Sequence, residues 1–588
     1  MRGVPITFRS TVRLLVFAIG AAVLVMAALP RAQAPASARA PIEPATLVLQ
    51  NGTIVTVETA QPEVQAIAIR GDVIVALGSS AEIKPYIGPA TKVVDLKGAT
   101  AVPGLIDSHG HFNGIGQAKL GLELMPTTSW DQIVAMVGDA AKKAKPGEWI
   151  VGRGWHQEKW TTRPEPAVEG FPTHASLDRV SPDNPVILTH ASGHATFANA
   201  KAMELAGITK GTPNPPGGEI LKDAQGNPIG VFRETASGLI GRAQRASRAT
   251  MTADQLEAEA LKIIQLADQE CLAKGITSFH TAGESFQMVD RFKRVITDGK
   301  LGVRLYVMLG ESNARLKEGL AKARTIGFGG QHLTVRAIKA YMDGALGSRG
   351  AWLLEPYADL PGATGLNTTP VAELRETAEL AIANGYQLCI HAIGDRANRE
   401  MLNLYEETFK AHPGMKELRW RDEHTQHLNA ADIPRFGKLG IIAAMQGIHC
   451  TSDAPYVLAR LGAARAEEGA YVWQKLMKSG AVVSNGTDAP VEDVDPIPNY
   501  YATVTRKLKD GSVFYGDQKM SRLEGLKSYT LSAAYAAFEE QIKGSLKVGK
   551  LGDVTVLSKN LLRVPDDQLL STKVLYTIVG GKVLYEAK

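Results

Sequence analysis

Val102-Pro103-Gly104-Leu105-Ile106-Asp107-Ser108-His109-Gly110-His111 is the stretch on which the fold turns. An apolar run ends in two histidines separated by one residue. Read as a buried strand over residues 101–106, its side chains alternate between faces, so His109 and His111 leave its end on the same side. Two imidazoles converging there suit one divalent cation of the zinc kind. A His-x-His pair on its own is more often an ordinary surface or core feature, so the rest of the chain has to decide.

Outward from this stretch, apolar strand-like runs alternate with helix-like ones, the pattern of a parallel sheet with crossover helices. After the opening run, strands are expected at residues 275–280, 304–309, 335–341, 387–391, 420–424, 441–446 and 481–485. With the first, that makes the eight strands that close a (β/α)8 TIM barrel. Amphipathic helices are expected over residues 253–274 and 371–384, the second stopped by Gly385. Residues 45–100 read as short strands, with a turn at Asn51-Gly52, and the same texture returns over residues 536–588. The expected architecture is therefore α/β. The barrel occupies residues 101–535, and a small β-sandwich is formed from both chain ends. The interval at about 114–249 is too long for a crossover and carries Trp149, Trp155 and Trp160. It is expected to be an insertion over the barrel mouth.

The first 38 residues have the layout of a secretory signal peptide. Arg2, Arg9 and Arg13 precede an apolar run of 16 residues, and small residues follow. The run is short for a membrane span. The expectation is an exported protein, periplasmic or secreted, with no stable span after cleavage; a retained N-terminal anchor is the alternative. Cleavage after Ala38 would remove four arginines and take the net charge from +5 to +1. A nearly neutral chain without basic runs offers no electrostatic case for nucleic acid. Cys271, Cys389 and Cys450 are too few and too scattered for a disulfide framework and read as buried small hydrophobes.

Barrel active sites lie at the carboxyl ends of the strands. His109 and His111 fall there on the first strand, Lys339 on the fourth, His391 on the fifth, His424 on the sixth and Asp488 after the eighth. Each has a bland alternative: a snorkelling lysine, a core histidine, a helix-capping aspartate. Together they are hard to explain as packing, because a buried unpaired lysine or carboxylate costs several kcal/mol. Trp155, His194, His280, Arg349 and His449 sit in the surrounding loops as substrate-orienting candidates, with loop packing as their alternative.

These residues resemble the amidohydrolase superfamily. The segments Ile338-Lys339-Ala340-Tyr341-Met342-Asp343-Gly344, His391-Ala392-Ile393-Gly394-Asp395 and Gly486-Thr487-Asp488-Ala489-Pro490 are similar to its amidohydrolase-3 branch, as are Gly152-Arg153-Gly154-Trp155 and Ser192-Gly193-His194. That branch contains N-substituted formamide deformylase-like enzymes. The resemblance implies one or two divalent metal ions, zinc first among them. His109, His111 and Asp488 would hold one, His391 and His424 the other, with Lys339 N-carboxylated as a bridge between them. It implies hydrolysis of a non-peptide C–N bond in a small amide by metal-activated hydroxide, with Asp488 as the catalytic proton carrier. The large apolar faces of Trp149, Trp155 and Trp160 in the insertion add the expectation of an apolar N-substituted or N-acylated substrate, its ring or chain against Trp155. Gly447, where the branch usually has proline, and Asp422, where an apolar residue is common, depart from the pattern. The rival readings are the same site acting on an ester, lactone or cyclic amide, and a metal-free exported binding protein. Homo-oligomerisation is left open.

Overall fold

The computed structural model describes residues 42–588; the expected leader lies outside the described residues. Eight parallel strands form the central sheet: β1 Leu105–Gly110, β2 Ile276–Glu284, β3 Arg304–Leu309, β4 Leu333–Tyr341, β5 Gln387–Ala392, β6 Arg421–His424, β7 Ile442–Met445 and β8 Val483–Asn485. Each pairs with its neighbour in chain order. No ladder joins β8 to β1, but four hydrogen bonds bring their ends together. Ser108 Oγ bonds Ser484 Oγ at 3.1 Å, Thr487 N–H donates to Asp107, Asp488 N–H to the His109 carbonyl (2.8 Å), and His111 N–H to the Ala489 carbonyl (2.7 Å). The barrel is thus nearly closed, and closed most firmly at the loop carrying Asp488.

The opening stretch does not behave as one strand. Thr100–Pro103 belongs to a different sheet, pairing with Val554–Leu557 and Thr53–Val55, and β1 begins only at Leu105. The switch falls at Gly104, where a Cβ would lie 2.2 Å from Thr277 Oγ1 of β2. Both halves are apolar because both are buried, and continuous hydrophobicity carries no mark of a change of sheet. In consequence Asp107 and His109 lie within β1 rather than past its end. β2 likewise runs beyond His280 to Glu284, which puts His280 in mid-strand.

Helices cover the outside. Val371–Asn384 buries Leu374, Ala378, Ala381 and Ile382, one stripe at helical spacing, and Gly385 ends it at φ 66°. Ala253–Ala273 starts from a capping box between Thr252 and Gln255.

A sandwich stands at the side. One sheet holds Val73–Gly78, Ala66–Arg70, Leu47–Gln50 and Lys92–Asp95 in that order. The other holds Lys582–Glu586, Val574–Val579, Val554–Leu557, Thr100–Pro103, Thr53–Val55 and Glu63–Val64. Alternate residues, among them Leu47, Leu49, Ile67, Ile69, Val554 and Val556, close between them. Both chain ends supply strands.

The insertion has a six-stranded sheet of its own, ordered Gly218–Lys222, Pro228–Glu234, Ala195–Ala198, Val186–His190, Ile150–Trp155 and Leu122–Glu123. Its core is aromatic: Trp130, Trp155, Trp160, Phe171 and Phe197. Ion pairs from Lys159 to Glu492 (3.3 Å) and from Glu158 to Arg460 (2.5 Å) fasten it over the barrel mouth.

Candidate metal centre and active-site cavity

Strand register sets the site. Tyr341 of β4, His391 of β5 and Glu423 of β6 are paired at one level, so alternation turns all three into the barrel, with Lys339 one step below. β1 delivers His109, and β6 ends in His424. Asp488 follows β8. His424 and Asp488 have left-handed backbones, φ 86° and 56°, a conformation non-glycine residues adopt only where the surroundings hold them.

The histidines are oriented alike. Nδ1 of His109 bonds Glu423 Oε2, Nδ1 of His111 meets the Ala282 carbonyl at 3.0 Å, and Nδ1 of His424 meets Gln446 Oε1 at 2.8 Å. Each ring's Nε2 is left for the interior, the arrangement by which outer partners fix metal-binding imidazoles. Asp488 Oδ1 lies 3.2 Å from His111 Nε2 and 3.6 Å from His109 Nε2. The His391 and His424 rings stand 4.4 Å apart, and buried His391 Nε2 has no hydrogen-bond partner. One ligand atom from each of His109, His424 and Asp488 falls within 4.8 Å of the others.

Burial governs the electrostatics. It pushes His109 down to about 4, with Lys339 adding to the effect, and holds His391 and His424 well below the usual imidazole range. Neutral imidazole is the form that binds metal. Burial also lowers the Lys339 ammonium, whose Nζ is 3.5 Å from His109 Nε2. Burial alone would raise Asp488, yet the His111 hydrogen bond and the surrounding imidazoles hold its carboxyl well below the usual range. Imidazoles held neutral by burial, among them His391 with an unpartnered Nε2, an ionised carboxylate and a lysine of weakened basicity form a donor set that fits a divalent cation.

Residues outside the expected ligand set support it. Glu423 is anchored by Arg421, which also donates to the Ser108 carbonyl at 2.7 Å. Asp343 accepts three backbone N–H bonds, from Trp352, Ile393 and Gly394 (2.8–3.0 Å), although burial still pushes its pKa up to about 8. Both residues lie in or beside motifs visible in the sequence; what they hold depends on tertiary contacts.

A cavity of about 630 Å³ opens from the centre, walled by His111, Tyr341 and Asp343 of the barrel and by Arg153, His194 and Glu234 of the insertion. A smaller space of about 40 Å³ continues past His391, His424 and Asp488 to His449. His194 borders both, its Nδ1 2.7 Å from Glu234 Oε2. His449 is held through Nδ1 by Gln426 at 3.0 Å.

Three substrate-orienting candidates are placed elsewhere. Trp155 is fully buried in the insertion's core and donates Nε1–H to the Leu188 carbonyl at 2.9 Å. A register shift between Arg153 and Trp155 leaves Arg153 at the cavity and turns the indole away. His280 lies below the mouth with Nδ1 3.2 Å from Arg421. Arg349 pairs with Asp359 at 3.1 Å. None of the three borders either cavity. Two glycines of the insertion are required by packing: a Cβ at Gly154 (φ 110°) would come within 2.6 Å of Met125 N, and one at Gly217 within 2.7 Å of the Thr368 carbonyl. At Gly447, Thr503 Oγ1 would stand 2.0 Å from an added Cβ. Asp422 is buried, both its oxygens unpartnered, and burial holds it well above the usual carboxylate range.

A family model described as the amidohydrolase family matches residues 92–585. The chain belongs to that family. This amidohydrolase is 30% identical to the putative amidohydrolase YtcJ of Bacillus subtilis (strain 168) over 548 residues, 92% of this chain and 99% of that protein. It is 26% identical to the N-substituted formamide deformylase of Arthrobacter pascens over 547 residues, 92% and 98% of the two chains. An uncharacterized metal-dependent hydrolase from Pyrococcus horikoshii OT3 superposes with a TM-score of 0.69 at 25% identity, covering 89% of this amidohydrolase and 99% of the other chain. The branch resemblance drawn from the motifs is borne out, and the protein is a hydrolase with a metal-binding His/Asp group.

Proposed function

We propose that this protein is an exported, zinc-dependent amidohydrolase that cleaves a non-peptide C–N bond of a small amide. The observation that carries the reading is the convergence of His109, His424 and Asp488 on one point, beside a His391 nitrogen with no partner. The likeness to a formamide deformylase supports amide as the bond class. Export rests on the arginines and apolar run of the first 38 residues.

His109, His111 and Asp488 would hold one divalent ion and His391 and His424 a second, with Lys339, once its amine is carboxylated by CO2, as a further ligand. When bound, the ions lower the pKa of water and polarise the substrate carbonyl. The chain's own groups do the rest. Asp488 Oδ1 accepts the proton of the attacking water and delivers it to the departing nitrogen, acting as base and then as acid. Glu423, Gln446 and the Ala282 carbonyl keep the three imidazoles in register through their Nδ1 atoms. The insertion supplies one wall of the cavity through Arg153, His194 and Glu234.

Metal analysis of the purified protein, paired with amide and ester substrates, tests the reading. One to two ions per chain and turnover of amides are expected. Protein without metal and without activation on adding it would overturn the proposal.

A further inference from the structure

The charged groups lining the larger cavity are unequally provided for. Glu234 is taken by His194, Glu284 by Asn113 (2.8 Å) and Thr281 (2.7 Å), and Asp343 by three backbone N–H groups. The other cations near the mouth have carboxylates: Lys119 has Glu270, Lys159 has Glu492, Arg349 has Asp359 and Arg460 has Glu158. Arg153 has none within ion-pair distance among the described residues. Its Nε–H donates to the Pro490 carbonyl (3.2 Å) and Nη2 to the Ala191 carbonyl (3.0 Å).

Those two bonds fix the guanidinium and use one edge of its fork. Nη1 has no partner among the described residues, and the edge it forms with Nη2 can meet a carboxylate through two parallel hydrogen bonds. Gly193 (φ 77°) backs the group with bare backbone; an added Cβ there would sit 3.7 Å from Nη2. Burial presses on the charge, lowering the group to about 10, with Asp488 and Glu123 opposing from a distance. It is therefore cationic at neutral pH and short of a counter-charge.

We infer that Arg153 anchors an anionic substituent of the substrate, so that the amides cleaved carry a carboxylate. The inference rests on the amide-hydrolase reading and deepens it. Arg153 is tied to Pro490, two residues beyond Asp488, the group that hands a proton to the departing nitrogen. The carboxylate therefore belongs to the amine half of the substrate, as in N-acyl amino acids. Hydrolysis adds water across the C–N bond, releasing the acyl carboxylate and an amine that keeps its own anionic group beside Arg153.

The test compares N-acetylphenylalanine, both enantiomers, with N-acetylphenethylamine, which lacks only the carboxylate, on the metal-loaded full-length enzyme. Wild type should prefer one anionic enantiomer by about ten- to a hundredfold in kcat/KM, mainly through KM, as expected for charge-assisted hydrogen bonds. Arg153→Met should erase the preference and Arg153→Lys keep part of it. Calorimetry with 3-phenylpropanoate and 3-phenylpropanol reads the site without turnover; the carboxylate advantage should shrink in Arg153→Met, whereas any carboxylate held by the metal alone would persist. Equal or faster cleavage of the neutral amide by wild type overturns the anion anchor and leaves amide hydrolysis standing. Carboxylate binding that depends on Arg153 without cleavage of any amide does the reverse. A preference that survives in Arg153→Met overturns the role of Arg153 itself, and the wild-type comparison holds even if that variant fails to fold.

Discussion

The barrel and its insertion meet at one cavity but use their buried residues in opposite ways. In the barrel, polar side chains stand at strand ends among apolar neighbours and point at one another: His109, His391, His424, Lys339 and Asp488. In the insertion, the large aromatic residues turn away from the cavity, and Trp130, Trp155 and Trp160 pack on one another. The charged and titratable groups that reach the cavity from the insertion are Arg153, His194 and Glu234, with Val151 beside them. A buried polar group in an apolar setting needs a partner and so advertises a site, whereas a buried aromatic residue is satisfied by packing alone.

Removing the metal should give the largest effect and strike the barrel alone. Chelation is expected to reduce turnover to background and to lower the melting temperature, because Asp488 and the carboxylated Lys339 lose the cation that balances their charge and the imidazoles lose their ligand bonds. Loss of activity without any change in melting temperature would mean the ligand cluster is stable on its own. Next comes Asp488→Asn. With the fold retained, kcat should fall by about 10²–10⁴-fold, the usual worth of a positioned acid–base group. A rate near wild type would move the proton carrier to His449, whose Nε2 has no partner at the edge of the smaller cavity.

Trp155→Ala separates the two regions most cleanly. Truncating an indole with no exposed surface should cost about 3–5 kcal/mol of stability. Urea or thermal unfolding reads that cost, while ratios of kcat/KM among amides stay as in wild type. A changed preference at unchanged stability would return the indole to the substrate.

The legibility of the chain followed the same division. The eight barrel strands were readable because their apolar runs and helical crossovers repeat, and β3 and the helix ended by Gly385 fell where periodicity put them. The passage from sandwich to barrel at Gly104 was not, since both sides of it are equally apolar. The strand-end histidines announced themselves through their residue type and position. Glu423, Gln446 and Asp343 act by contacts across the barrel, and nothing local encodes those. Trp155 misled because hydrophobicity does not say which of two cavities a side chain fills: a core or a binding site. Arg153 lay within a quoted motif, but its lack of a carboxylate partner is visible only in three dimensions.

His427 puts the barrel's half of the comparison under the most strain, with the smallest effect. It lies three residues past His424, is buried, and neither ring nitrogen has a hydrogen-bond partner; its ring meets that of Tyr471 edge-on at 5.3 Å. By the rule above it should mark a site, yet it borders neither cavity. Burial pushes it down to about 3 from an ordinary value of 6.5. Between those values the unfolded chain binds a proton that the folded chain refuses, so this residue's linkage weakens the fold as pH falls from about 6.5 towards 3. Asp107 and Asp343, raised by burial to about 7 and about 8, have the opposite slope, losing stability as pH rises from 3.8. Wild type therefore shows a sum, and the informative quantity is the difference between His427→Leu and wild type. That difference should be small at pH 7, where an unpaired neutral imidazole is exchanged for an aliphatic group. It should grow in favour of the variant as the pH is lowered from 6.5 to 4, with kcat unchanged at neutral pH. A pH-independent difference would mean that His427 finds a proton acceptor in the fold, and a loss of turnover in His427→Leu would make it part of the site after all.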